Sequence, residues 1–229
     1  MEGILTVFAA LVKNTNNFYF AELVRGYCDN RCVLCRKCEN DRDLIRPVKD
    51  YEADFLENYV LNHQVRVAGL CVKAAEKLGL EIKKGSHLIQ AALLHDIGKL
   101  SVPFNILCKN GPLTEEEYEI IKLHACEGAL WLKRRGFPRE VVETVRYHHE
   151  RYDGKGYPEG LRGENIPYLS RILAVCDAAD AMIYSRPYGR LLEVEGAAAE
   201  IKRNSGSQFD PEIADAVTVI LREGAVYSV

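Results

Sequence analysis

Residues 86–99 read Ser86-His87-Leu88-Ile89-Gln90-Ala91-Ala92-Leu93-Leu94-His95-Asp96-Ile97-Gly98-Lys99. Leu88, Ile89, Ala92 and Leu93 fall at helical spacing and carry the chain into the His95-Asp96 pair, which ends the helix. Ser86 is placed to cap its N-terminus. The same pattern extends outward on both sides. Residues 51–78 hold Phe55, Tyr59, Val60, Val67, Leu70, Cys71, Ala74 and Leu78 on one helical face, with Gly79 as the stop. After the Gly111-Pro112 break, Thr114 and Glu117 form a capping box for a helix running to Gly136. Pro138 opens a helix to about Glu150. Residues 153–158 form a glycine- and proline-rich loop. Pro167 opens a helix through Asp177 and Asp180, ended by Arg186-Pro187, and Asp210-Pro211 starts the last one. No segment alternates as a strand would, and there is no internal repeat. The expectation is an all-α domain.

Length and charge narrow the function class. The chain has 229 residues and a formal net charge of −3, a balance that excludes a sequence-independent nucleic-acid binder with its basic face. No apolar run reaches the roughly 18 residues of a membrane span. Residues 3–12 are mostly apolar but sit between Glu2 and Lys13, without the positive leader of a secretory signal, and read as a packing or homodimer helix. The expected location is the cytoplasm. Residues 1–47 form a helical and Cys-rich segment, and residues 48–229 a consecutive helical domain.

The functional signal lies in the histidines. His95-Asp96 ends one helix, and His148-His149 lie near the end of another. Neighbouring helical residues point about 100° apart, so an adjacent pair serves two ions more easily than one. Imidazoles and carboxylates on successive helices are what a metal site inside a helical bundle requires. His87, outside any motif, reads as an ordinary hydrogen-bonded histidine.

The segments His95-Asp96-Ile97-Gly98-Lys99 and His148-His149-Glu150-Arg151-Tyr152-Asp153-Gly154-Lys155-Gly156-Tyr157-Pro158, in that order, resemble the HD-GYP family of bacterial cyclic di-GMP phosphodiesterases, a branch of the HD metallophosphohydrolases. The likeness runs from about residue 48 to 222. It includes Ile166-Pro167, Arg171-Ile172, Asp177 to Ala181, Arg186-Pro187-Tyr188 and Gln208-Phe209-Asp210-Pro211. It implies an HD-type bundle enclosing a two-metal site, with His63, His95, Asp96, His124, His148, His149 and Asp177 as ligands. Asp96 would bridge both ions, with His63, His95 and Asp177 around one and His124, His148 and His149 around the other. Asp180 would support the fold or a ligand. Imidazole and carboxylate donors suit iron, manganese or zinc.

Two departures from the family pattern matter. Trinuclear members carry a glutamate one turn before the first histidine, where this chain has Tyr59, so the resemblance implies two ions. Arg186 matches the arginine that holds the dinucleotide phosphate, but Gly189 stands where the family has a second basic residue, with Arg190 displaced by one.

The implied reaction is hydrolysis of cyclic di-GMP to linear pGpG, and on to GMP, by a metal-activated hydroxide. Lys99 would donate to a non-bridging phosphate oxygen and Arg186 would clamp the second phosphate. The Gly156-Tyr157-Pro158 loop would offer a docking surface to diguanylate cyclase domains. Two other readings stay open: an HD phosphohydrolase of another nucleotide, and a regulatory module that binds a cyclic dinucleotide or a partner with little turnover.

The eight cysteines divide in two. Cys28, Cys32, Cys35 and Cys38 lie within eleven residues and suit a structural zinc or an iron–sulfur cluster, a redox thiol set being the alternative. The first three share the radical SAM spacing, but that class needs a large barrel and the rest of the chain reads as helices. Cys71, Cys108, Cys126 and Cys176 are scattered and read as small buried apolar residues.

Overall fold

The computed structural model describes residues 62–109, 111–184 and 192–224. The cysteine cluster, the apolar segment 3–12, the boundary near residue 47, Tyr59, Arg186 and Gly189 lie outside these. Among the described residues the α-helices are α1 (Asn62–Lys77), α2 (Ile82–Leu94), α3 (Phe104–Leu107), α4 (Glu115–Lys122), α5 (His124–Arg134), α6 (Arg139–Arg146), α7 (Tyr168–Ile183), α8 (Val194–Arg203) and α9 (Pro211–Arg222). Short 3-10 turns occupy Ile97–Ser101 and Gly163–Asn165. No strand forms among the described residues, only the isolated bridges Asp153–Arg162 and Ser205–Phe209. The all-α expectation holds.

The apolar faces of α1, α2 and α7 make the centre of the core. Val67, Leu70, Cys71 and Ala74 of α1 meet Leu88, Ile89 and Ala92 of α2 and Ile172, Leu173 and Cys176 of α7, all buried. α8 and α9 close one side with Ile201, Ile213, Val217 and Leu221. Ion pairs lock the connections. Arg171 of α7 pairs with Asp210, whose other oxygen caps α9 through Glu212 N at 3.0 Å. Arg151 grips Asp153 with two nitrogens and donates to Gln208 Oε1 at 2.9 Å. Several residues that carried the family likeness thus serve as scaffold.

Local expectations met mixed outcomes. The Thr114–Glu117 capping box is present, with both reciprocal bonds, and Asp210-Pro211 starts α9. Ser86 does not cap α2, which begins at Ile82; its hydroxyl instead accepts from Gln90 Nε2 inside the helix. The helix expected to run from Thr114 to Gly136 breaks at Leu123, and α6 stops at Arg146 rather than near Glu150. α8 was not foreseen. Of the scattered cysteines, Cys71 and Cys176 are buried, while Cys108 and Cys126 are only partly so.

Both early breaks have one cause, shared with the end of α2. A histidine just past each helix turns its ring back and donates from Nδ1 to the carbonyl three residues earlier. His95 bonds Ala92 O at 2.8 Å, His124 bonds Ile121 O at 2.7 Å and His148 bonds Val145 O at 2.7 Å. A side chain that takes a last-turn carbonyl competes with helix continuation. The histidines therefore terminate the helices that deliver them.

Candidate metal centre

Two close backbone approaches bring these helix ends together. Gly98, in the 3-10 turn after the His95-Asp96 pair, lies so close to α5 that a Cβ there would sit 2.0 Å from His124 O and 2.6 Å from Gly128 N. Gly156 is packed equally hard, its hypothetical Cβ 2.3 Å from Arg151 N and 2.5 Å from His149 O. Only glycine fits at either position. Glu150, buried, accepts from Glu159 N at 2.7 Å and Leu161 N at 3.0 Å. It thereby folds the 153–161 loop against His149, whose carbonyl accepts from Tyr157 N at 3.2 Å and whose ring lies 4.8 Å from the Tyr157 ring.

All seven nominated side chains converge. Three groups have donor atoms within 4.8 Å of one another: His63 with His95 and Asp177; His124 with His148 and His149; and His95 with Asp96 and His148. Asp96 stands between the first two sets. Its Oδ2 faces His95 Nε2 at 3.4 Å and His63 Nε2 at 3.9 Å, while its Oδ1 faces His124 Nε2 at 3.5 Å. His63 Nε2 is 3.0 Å from Asp177 Oδ1. His148 and His149 lie in a turn, not on a helix, so the 100° argument does not apply to them; their rings sit 3.9 Å apart and both face His124.

The donor set fits a cation. With Nδ1 of His124 and His148 donating to carbonyls, Nε2 of each neutral ring carries a lone pair. These face each other at 3.4 Å, and His149 Nε2 is 3.2 Å from His124 Nε2. Lone pairs so arranged repel unless a positive charge lies among them. A proton is a poor candidate: burial pulls His124 down to about 4 and His148 to about 3, and lowers His149 as well. The buried Nε2 of His95 likewise has no hydrogen-bond partner among the described residues. The C-termini of α2 and α6 add partial negative charge.

The charges on the other side differ. Burial pulls His63 down, but hydrogen bonds to Asp177 and Asp180 and the charges of Asp177 and Asp96 outweigh it, raising His63 to about 9. Burial pushes Asp96 up, yet Lys99, His95 and His124 hold it well below the usual carboxylate range. Lys99 Nζ lies 2.6 Å from Asp96 Oδ2 and is partly exposed, at the rim of the cluster. Asp180 is buried and accepts from His63 Nδ1 at 2.7 Å, a supporting place of the kind expected for it. His87 pairs with Glu140 at 2.5 Å, away from the cluster.

Sequence reasoning assigned no role to Arg66 or Glu150. A signal for Arg66 existed: it stands three residues after His63, as Asp180 does after Asp177, so each pair shares one helical face.

The family model described as the HD domain matches residues 52–213, most of the chain. The chain belongs to the HD domain family. A cyclic di-GMP phosphodiesterase from Thermotoga maritima is 40% identical over 163 residues, covering 70% of this chain and 44% of that protein. A 3'3'-cGAMP-specific phosphodiesterase 1 from Vibrio cholerae is 40% identical over 135 residues, 59% of this chain and 31% of that protein. The HD chain therefore spans less than half the length of either relative. Among solved structures, Bd1817, a HDG"Y"P protein from Bdellovibrio bacteriovorus, superposes with a TM-score of 0.60 at 22% identity, covering 92% of this chain and 80% of that one. The HD-GYP resemblance read from the motifs agrees with these relatives. Among the described residues no helix is long and apolar enough to cross a membrane.

Proposed function

We propose that this HD domain is a metal-dependent phosphodiesterase that hydrolyses cyclic di-GMP to linear pGpG and on to GMP. The observation that carries the reading is the placement of Asp96, one oxygen toward His63 and His95 and the other toward His124. A carboxylate so placed is suited to bridge two ions. His63, His95 and Asp177 would hold one, and His124, His148 and His149 the other. When bound, a pair of divalent ions supplies Lewis-acid charge for the phosphoryl oxygens and acidifies water toward neutral pH. Iron or manganese matches the donors best, with zinc the alternative.

The chain's own residues do the rest. The helix-terminating bonds of His95, His124 and His148 fix their Nε2 atoms inward before substrate arrives, so little reorganisation accompanies the reaction. Lys99, at the rim, donates to a non-bridging phosphate oxygen while keeping Asp96 ionised. Arg186 clamps the second phosphate. Water adds across one P–O3' bond, leaving a 5'-phosphate and a free 3'-hydroxyl on the linear product. The Gly156-Tyr157-Pro158 loop, held by Glu150, is the surface offered to a cyclase partner.

The 40% identity to a 3'3'-cGAMP-specific phosphodiesterase supports a second reading, a hybrid cyclic dinucleotide as substrate. Incubating the full chain, purified anaerobically and loaded with manganese or iron, with each cyclic dinucleotide separates the readings. Faster conversion of cyclic di-GMP to pGpG supports the first, and preferential conversion of 3'3'-cGAMP the second. Binding of either without turnover would mean a regulatory module.

A further inference from the structure

Every histidine with a described Nδ1 contact in the cluster is anchored to a main-chain carbonyl except one. His63 instead donates from Nδ1 to the carboxylate of Asp180, Oδ2 at 2.7 Å. That carboxylate is in turn gripped by Arg66, whose Nε reaches Oδ1 at 2.7 Å and whose second nitrogen reaches Oδ2 at 3.0 Å. Asp180 is 1% exposed, so its orientation has little freedom once both oxygens are engaged. The guanidinium carbon of Arg66 also lies 4.2 Å from the centre of the Tyr184 ring, a stacking contact that holds the fork flat. Arg66 and His63 share a face of α1, and Asp180 and Tyr184 lie at the end of α7.

We infer that Arg66 is a positioning residue for one of the two metal half-sites: it orients Asp180, which sets the ring angle and the Nδ1–H form of His63 and so aims Nε2 at the ion. Among the described residues Arg66 makes no hydrogen bond to a proposed ligand atom, and its route to His63 runs through Asp180. This rests on the two-ion reading above and deepens it. A carboxylate that orients a ligating imidazole typically contributes 10–100-fold to metal affinity. Arg66 is one link further out, so an effect near the lower end, about tenfold, is expected. The effect falls on the half-site of His63, His95 and Asp177. The half-site of His124, His148 and His149 does not share it, because main-chain carbonyls hold His124 and His148.

The test is manganese binding by the full chain, followed by calorimetry or paramagnetic resonance; this hard ion has little affinity for the N-terminal thiolates. Arg66→Met keeps the aliphatic stem and removes the fork. One of the two ions should bind about tenfold more weakly, with the other unchanged and the helical circular dichroism intact. Arg66→Lys, which keeps the charge but cannot grip both oxygens, should recover only part of the loss. In a His63→Ala background Arg66→Met should have no further effect, because its route to the metal is gone. Equal weakening of both ions, an additive effect in the His63→Ala background, or unchanged binding would overturn the inference while leaving the two-ion reading in place. If His95→Ala binds manganese as well as the parent chain does, the two-ion reading fails and the inference falls with it.

Discussion

The two halves of the metal centre are built on different physics. The half of His124, His148 and His149 is all imidazole and deeply desolvated, which lowers all three pKa values. Two of its rings are held by main-chain carbonyls at helix ends. The half of His63, His95 and Asp177 is laced with carboxylates, and its outer histidine hangs on a side-chain network. Against burial, the hydrogen bonds to Asp177 and Asp180 and the charges of Asp177 and Asp96 raise the pKa of His63 to about 9. One half is fixed by where helices stop. The other shares that device at His95, but its His63 and Asp177 depend on which side chains α1 and α7 present to each other. Substitutions near the first should act through backbone displacement, and substitutions near the second through charge and orientation.

The largest effect should come from Asp96, which the halves share, and from His95 beside it. Asp96→Ala or His95→Ala is expected to bring turnover down to the assay background while helical circular dichroism stays near that of the parent. Near-normal turnover at matched metal content would remove Asp96 from its bridging place and merge the two halves into something simpler.

Gly98→Ala tests the backbone-built half. The added methyl would meet His124 O at 2.0 Å, so the 3-10 turn and α5 must separate. Overpacking of this kind costs about 3 kcal/mol, which in a domain of this size lowers Tm by roughly 6–12 °C. The ion on the His124 side should be lost before the ion on the His63 side. Loss in the opposite order would contradict the division.

Glu150→Gln is milder. It places an amide where a carboxylate accepts from two loop N–H groups, leaving one of them unpaired at about 1–3 kcal/mol. Amide exchange should quicken at Glu159 and Leu161, with a smaller rise in KM than in the exchange rate. Unchanged exchange would show that the loop is held without Glu150.

The smallest effect is expected for Cys32→Ser with Cys35→Ser. None of the proposed catalytic ligands is a cysteine, and thiolates select softer ions than imidazole and carboxylate do. N-terminal metal or sulfide should disappear, with the catalytic ions and basal turnover retained. Loss of the catalytic ions in a folded protein would tie the cysteines to the active site.

Much of this was legible in the sequence, for identifiable reasons. Helical spacing of apolar residues gave the fold class, because burial against α1, α2 and α7 follows that spacing directly. The Thr114–Glu117 box was readable because capping is local. The lengths of α4 and α6 were not, because what stops them is a tertiary demand: His124, the first residue of α5, and His148, in the turn after α6, fold their rings back onto the preceding helix end to face the cluster. Propensity carries no trace of that. Ser86 misled for a related reason: it can cap a helix or sit inside one, and burial of Gly85, His87 and Leu88 extends α2 back past it to Ile82. The convergence of the seven nominated residues came from a family resemblance. The Arg66–Asp180 support was written in two three-residue spacings whose meaning appears only once α1 and α7 are seen to pack.

The most direct test of the two-half account is cyclic di-GMP turnover measured against manganese equivalents, using the full chain stripped of metal under anaerobic conditions. Turnover should rise little with the first ion, climb as the second binds, and stay flat beyond two per chain, with pGpG appearing in step. Full activity at one ion per chain, a requirement for a third, or two tightly bound ions with no hydrolysis would contradict it.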